Sequence, residues 1–563
     1  MELEAFDIVA FVGFMGAVVV ISLYAGRREK TSTDYFLAGR TLTWGLIGFS
    51  LIASNISTEH FVGMAGSAFG RVGLAIASYE WMSAITLVFV AWWLLPKFLR
   101  AGIYTMPEYL EYRYDSATRS IMALFLLAAY VIVFLATVVY SGAKAVNTIF
   151  DVPGWFEGWF GLGAENADFW ALVASIWVIG LIAASYTIYG GLKSVVWSDL
   201  LQGAGLLLGG AVVAVLGLSA IGDGSLLDGW TKFASANAGK LHTVLPWDDA
   251  DVPWLAVFVG GLWIPNLFYW GLNQYITQRT LGAKSLAEGQ KGIFLAAWLK
   301  LLIPFIIVLP GIMAFQLYGT GPNAAVADGD AAYPYMIRQL LPPYLRGAMF
   351  AALCGAVMSS FNSGLNSAST IFTIDLYQKY INPQASQHRI VSVGRWATAA
   401  AVVVACLWAP VISLFGKGVF TYIQEIWGFI TPGIVAAFLV GMIVKRAPAR
   451  AAKTAMVLGL VLYALFRIPG WVIAWAVNKG HLIVVEGSAL DWINRFSTIA
   501  FLHHMGIIFL ILAGVMVVIT LRKPLAEPRT MPVSELDVSP YKHRYLIGGI
   551  TIAATAVLYY LFW

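Results

Sequence analysis

The chain has 563 residues, of which 60% are hydrophobic and only 12% charged, with a formal net charge of +5. A water-soluble domain carries roughly 25% charged residues; half that share leaves too little polar surface to coat a soluble particle and predicts an all-α integral membrane protein. The positive charge falls mainly in short loops, which reads as membrane topology and not nucleic-acid binding, and the cysteines, Cys354 and Cys406, lie in apolar runs, which excludes a disulfide framework or a metal finger.

About fourteen apolar segments reach spanning length: 6–26, 41–69, 72–96, 118–149, 168–189, 194–220, 252–278, 288–318, 345–377, 392–414, 418–444, 453–478, 497–521 and 544–562. The first is not a cleaved leader. Glu2, Glu4 and Asp7 precede it, and the cations Arg27, Arg28 and Lys30 follow it. That polarity places the N-terminus outside. The odd-numbered loops then hold the Lys and Arg, while 151–168 carries only acids and 221–251 carries Asp223, Asp228, Asp248, Asp249 and Asp251 against Lys232 and Lys240. The alternation puts both termini outside. The whole chain reads as one transmembrane domain with short connections.

Polar residues inside spans are costly and face partners or cavities. The second span contains Ser54, Asn55, Ser57, Thr58, Glu59 and His60 almost consecutively, which predicts a broken, site-lining helix. The alternative is ordinary Ser and Thr helix contacts, which leaves Asn55, Glu59 and His60 unexplained. The third span carries Glu80 and Ser83, and the plain alternative to a site role is an ion pair with Lys300 of the eighth span, which would join both in one polar centre. In the seventh span Pro265 removes a backbone donor and disrupts the turn before it, Asn266 can satisfy the groups so freed, and Tyr269 and Trp270 lie beyond, which predicts a second discontinuous helix. Breaks five spans apart suit an inverted five-plus-five repeat. The ninth span places Ser359, Ser363, Asn366, Thr370 and Thr373 on one face, and the adjacent hydroxyls of Ser359 and Ser360 suit a hard cation. Gln424 and Glu425 lie in the eleventh span, where an amide can both donate and accept.

Six stretches form a set: DYFLAGR at 34–40, SLIASNIS at 50–57, TMPEYLEYR at 105–113, YGGLKSVVWSD at 189–199, NQYITQRT at 273–280 and NSASTIFTID at 366–375. With them the chain resembles the sodium/solute symporter family, in its sodium–glucose/galactose cotransporter branch. The resemblance implies a leucine-transporter-type core over 41–444, with repeats at 41–220 and 252–444 and peripheral helices over 453–563. It implies a sugar site at Asn55, His60, Glu80, Ser83, Asn266, Lys300 and Gln424, with Tyr269 as gating aromatic and Trp270 beside it. It implies sodium held by the carbonyls of Ala53, Ile56 and Ala356 and the hydroxyls of Ser359 and Ser360. A further sodium position at Asp199 and Ser363 is weakened because Asn362 replaces one hydroxyl. His60 stands where bacterial galactose carriers of the family have Gln and animal glucose carriers have His, so the hexose stays open. The expected function is sodium-driven hexose uptake across a bacterial inner membrane; myo-inositol, another polar solute and a non-transporting sugar sensor are the rivals. No nucleophile–base set or metal cluster points to an enzyme.

Overall fold

A computed structural model describes residues 4–27, 30–320, 325–327, 329–415 and 419–563, with backbone alone at 148, 413–415 and 419–422. Arg28, one of the cations after the first span, lies outside the described residues. Among the described residues the architecture is helical, and eleven helices are long and apolar enough to cross a membrane. One of them, Ala164–Ile221, is two spans in sequence joined at Gly191. Two more crossings are assembled from shorter pieces, Trp44–Asn55 with Ala65–Phe69, and Val419–Trp427 with Thr431–Ile443. The total is the fourteen that the apolar runs predict.

Local chemistry sets the ends. Thr105, Asp115, Ser225, Ser285, Ser386 and Ser488 each cap a helix by accepting the backbone N–H three residues on. The acidic connections are more structured than short loops, since they hold the helices Val152–Phe160 and Leu226–Ala236. Both are too short to span and escape a search for membrane-length runs.

The bundle packs around the ninth span, Pro343–Ile381, whose hydrophobic window is 94% buried, the highest share of any crossing found. Spans one, six and ten lie against it, and spans two, seven and eight complete the centre. Spans twelve and thirteen, Ala449–Asn478 and Phe501–Arg522, cover span eleven, while the last, Arg544–Leu561, covers span three, Gly73–Ala101.

Span two breaks where the polar run predicts. Its first half ends at Asn55, and Ile56 is extended (φ −78°, ψ 115°). Span seven also breaks, in the turn before Pro265 and again at Asn273. That proline sits in the first turn of the segment Trp263–Leu267, where its missing N–H has no helical partner to lose. The chain turns at 259–262, directly before that segment, and a second time at Asn273 (φ −84°, ψ 119°). Ile56 and Asn273 thus share one conformation five spans apart. Each break is flanked by a wide-turn segment, Glu59–Met64 and Phe268–Leu272, a geometry often found at functional sites.

Gly191 has a positive φ of 51°, and a Cβ there would lie 2.3 Å from the Tyr35 carbonyl oxygen. Gly191→Ala should therefore cost about 2 kcal/mol or more, seen as a lower unfolding temperature in detergent. Gly13→Ala, with nothing within 4 Å of the added atom, should leave it unchanged or raised.

Candidate functional site

The two breaks face one another across a chamber of about 80 Å³. Asn55 and His60 reach it from span two, Glu80 and Ser83 from span three, Asn266, Tyr269 and Trp270 from span seven, Lys300 from span eight and Gln424 from span eleven. All nine residues singled out for a solute site line this one space.

At its centre Lys300 Nζ lies 2.5 Å from Glu80 Oε2, and both residues are almost fully buried. Lys300 also donates to Asn55 Oδ1 and stands 5.0 Å from the Trp270 ring centroid. His60 Nε2 approaches Glu80 Oε1 at 3.5 Å. Asn55 Nδ2 donates to the Tyr269 hydroxyl at 2.8 Å, and Ser83 Oγ to Asn266 Oδ1 at 3.1 Å. Four polar atoms here are buried with no protein partner: Glu59 Oε1, His60 Nδ1, Asn266 Nδ2 and Asn273 Nδ2. A buried polar atom is expensive unless bonded. Three of them belong to residues lining the chamber, which is the condition a hydroxylated solute would relieve.

One end of the chamber is closed by aromatic rings absent from the sequence-based site. Tyr269 shares a hydroxyl hydrogen bond with Tyr275; the Tyr275 ring lies 4.8 Å from Phe134; Phe268 and Trp427 stand 5.5 Å apart. The Tyr130 hydroxyl donates to Asn273 Oδ1 at the break. Aromatic residues in apolar runs carry no polar signal, so only Tyr269 and Trp270 were legible. At the other end a second cavity, of about 180 Å³, shares Tyr79 and Gln424 with the chamber. Glu425 does not face the chamber centre; it pairs with Arg467 of span twelve at 2.6 Å.

Of the expected ion ligands, Ser360 reaches the broken end of span two. The last N–H of the first half-helix to bond back is that of Ile56, on the Ile52 carbonyl, and the ladder resumes with His60 N–H on the Ser57 carbonyl. Carbonyls at the end of a half-helix lack intrahelical partners, which frees those of Ala53 and Ile56. Ser360 Oγ of span nine donates to the neighbouring Ser54 carbonyl at 3.0 Å, and Ser359 Oγ to Asp199 Oδ1 at 2.5 Å. Ala356 lies one turn earlier on span nine.

Asp199 and Ser363 come together, but around a cation already present. Arg279, a fully buried residue in the second half of span seven, Gln274–Leu281, donates to Asp199 at 3.1 Å and to Ser363. Ser50 and Ser54 hydroxyls also donate to Asp199, at 2.5 and 3.1 Å. The carboxylate is thus saturated, and a further sodium there would stand against a buried guanidinium. That partner, 80 residues away, is what the sequence-based expectation lacked.

Interrupted helices crossing at a buried polar chamber define a secondary-transporter architecture. The chain belongs to the sodium:solute symporter family, whose model matches residues 35–459. It is 42% identical over 487 residues to the sodium/glucose cotransporter of Vibrio parahaemolyticus, covering 82% of this chain and 85% of that protein. It is 36% identical to the uncharacterized symporter YidK of Escherichia coli K12, over 99% of this chain and 90% of that one. The sodium/myo-inositol cotransporter 2 of Mus musculus is 34% identical, over 82% of this chain and 70% of its own. The fold matches a Na+-coupled sialic acid symporter, solved substrate-bound and outward-open, with a TM-score of 0.73 at 21% identity over 94% of this chain and 99% of that one. The architecture is the leucine-transporter type, and these relatives are transporters, not enzymes.

Lys300→Ala would leave the buried Glu80 with only the His60 imidazole beside it, and should cost about 3 kcal/mol or more of stability. Lys300→Met combined with Glu80→Gln should recover much of that loss, with thermal unfolding in detergent as the measure.

Proposed function

We propose that the protein couples inward sodium movement to uptake of a hexose, glucose or galactose, across a bacterial inner membrane. The observation that carries this reading is the chamber itself. An acid, a lysine, amides and an imidazole converge where two interrupted helices meet. A sugar presents hydroxyls that both donate and accept. Glu80 accepts, Lys300 donates, and Asn55, Asn266 and Gln424 do both. Ser83 and His60 complete the polar wall, and Tyr269 and Trp270 offer flat faces to the ring. The sodium/glucose relative supports the solute class; the myo-inositol relative keeps a second ring polyol in view.

Sodium is read at the carbonyls of Ala53, Ile56 and Ala356 with the hydroxyls of Ser359 and Ser360, an all-oxygen set of the kind a hard cation prefers. These groups join span two to span nine, so an ion there ties the first repeat (41–220) to the second (252–444). That tie would favour one orientation of the core and so couple ion to solute; 453–563 forms the periphery. Because Arg279 already neutralises Asp199, the reading carries one sodium per cycle. One charge moving through 100 mV supplies roughly 2.3 kcal/mol, and a tenfold sodium gradient about 1.4 kcal/mol more. Both termini are read as outside, with the Lys- and Arg-rich loops in the cytoplasm.

The decisive experiment is uptake of labelled hexose into vesicles with and without a sodium gradient. Gradient-driven accumulation is expected; binding without accumulation would replace transport with sensing, and preference for inositol in competition would change the solute. Glu80→Ala and Gln424→Ala should each lower uptake efficiency roughly 10- to 100-fold, while unaltered uptake in either would misplace the site. Ser360→Ala should raise the half-saturating sodium concentration roughly tenfold; an unchanged sodium titration would remove that hydroxyl from the ion site.

A further inference from the structure

The Lys- and Arg-rich end of the bundle holds a cavity of about 570 Å³ that shares no lining residue with the solute chamber or the ion ligands. Lys97, Arg100, Arg113, Lys445 and Arg529 line it, and among the described residues no carboxylate does. Several other cations at this end are paired. Arg119 contacts Glu111 and Asp375, Lys379 contacts Glu111, Lys453 contacts Asp115 and Lys291 contacts Glu288. Around this concavity, by contrast, five cations meet with no acid among the described lining residues.

The cavity has a built frame, in which Arg113 and the backbone of the covering segment are fixed by hydrogen bonds, while Arg100, Lys445 and Arg529 reach it as exposed side chains. Arg113 donates to the carbonyls of Gly441, Val444 and Ala447 at 2.7, 2.8 and 3.2 Å, which fixes the end of span eleven, Thr431–Ile443. The segment 525–534 crosses the opening as a strap. At one end Leu525 N–H bonds the Arg446 carbonyl at 2.9 Å; at the other Ser534 N–H bonds the Arg100 carbonyl at 2.7 Å. Ser534 Oγ adds a bond to the Leu99 carbonyl at 2.6 Å. Gly102 (φ +66°) admits this approach, since a Cβ there would lie 2.8 Å from Ser534 Cβ. Arg529 hangs from the strap toward the same space as Arg113. Burial and, more weakly, the charge of Arg529 both pull the Arg113 guanidinium below its ordinary range. The general excess of cations on one membrane face accounts for their presence here. It does not account for their convergence under a pinned strap. Like charges held together by backbone bonds repel unless an anion compensates them.

We propose that this cavity binds a phosphate group, carried either by an anionic phospholipid headgroup or by a soluble phosphorylated compound. Arg100 and Arg529 present paired donors to phosphate oxygens, the lysines add point charge, and Arg113, whose donors are spent on backbone carbonyls, adds charge alone. The bound group would bridge span three, span eleven and the strap. The site lies apart from the solute chamber, so its test does not depend on transport.

The experiment uses the full chain purified in detergent. Phosphatidylglycerol is titrated and followed by native mass spectrometry, with phosphatidylcholine as the neutral reference. Inorganic phosphate and pyrophosphate are titrated separately and followed by thermal shift. The triple variant R100Q/K445Q/R529Q should bind the anionic probe roughly fivefold more weakly per cation removed. The triple variant K284Q/R389Q/R450Q, which removes as many exposed cations elsewhere at the same end, should bind like the unaltered chain. R529Q alone, on the exposed strap, keeps the test readable should the triple fail to fold. Selective loss of phosphatidylglycerol assigns the site to lipid, and selective loss of the phosphate shift assigns it to a soluble ligand. Equal behaviour of the two triple variants toward every probe would overturn the proposal.

Discussion

A helix that stops inside hydrocarbon leaves backbone groups that water cannot reach, each costing several kcal/mol if left unbonded. The centre of this molecule is organised around that constraint. Spans two and seven stop at Ile56 and Asn273 with nearly the same dihedral angles. Side chains from other spans then occupy the gaps: Ser360 on the Ser54 carbonyl, Tyr130 on the Asn273 side chain, Tyr269 on Asn55. What these partners leave unbonded around the chamber is chemistry available to a solute or an ion.

Two buried ion pairs show how burial and access divide labour. Glu80 and Lys300 face the chamber and share it with Asn55 and His60. Asp199 and Arg279 are sealed among Ser50, Ser54, Ser359 and Ser363. Each pair offsets the desolvation of its own charges. Only the first stands where a mobile ligand can compete for its hydrogen bonds. The second joins spans two, six, seven and nine, and so behaves as a rigid knot beneath the breaks.

The peripheral helices also reach inward. Arg467 of span twelve holds Glu425 and the carbonyls of Ser497 and Ile499, and it walls the cavity beside the chamber. Gln424, one position before Glu425, faces the chamber itself. The orientation of span eleven toward the chamber therefore rests on a residue of span twelve.

Composition and spacing determined the helical membrane class, the fourteen crossings, the break in span two and the polar residues that gather at the centre. Each is a cost or benefit paid residue by residue in hydrocarbon, so it is written locally. The Glu80–Lys300 pair was legible for the same reason, because a lone acid and a deep lysine each demand a partner, though they stand 220 positions apart. Tertiary structure alone decided that span seven turns a second time, at Asn273, beyond the turn before Pro265. It alone decided that Asp199 meets Arg279, that Glu425 meets Arg467, and that Phe134, Tyr275 and Trp427 close the chamber. Those outcomes depend on which remote segments approach one another, and no local pattern encodes that distance.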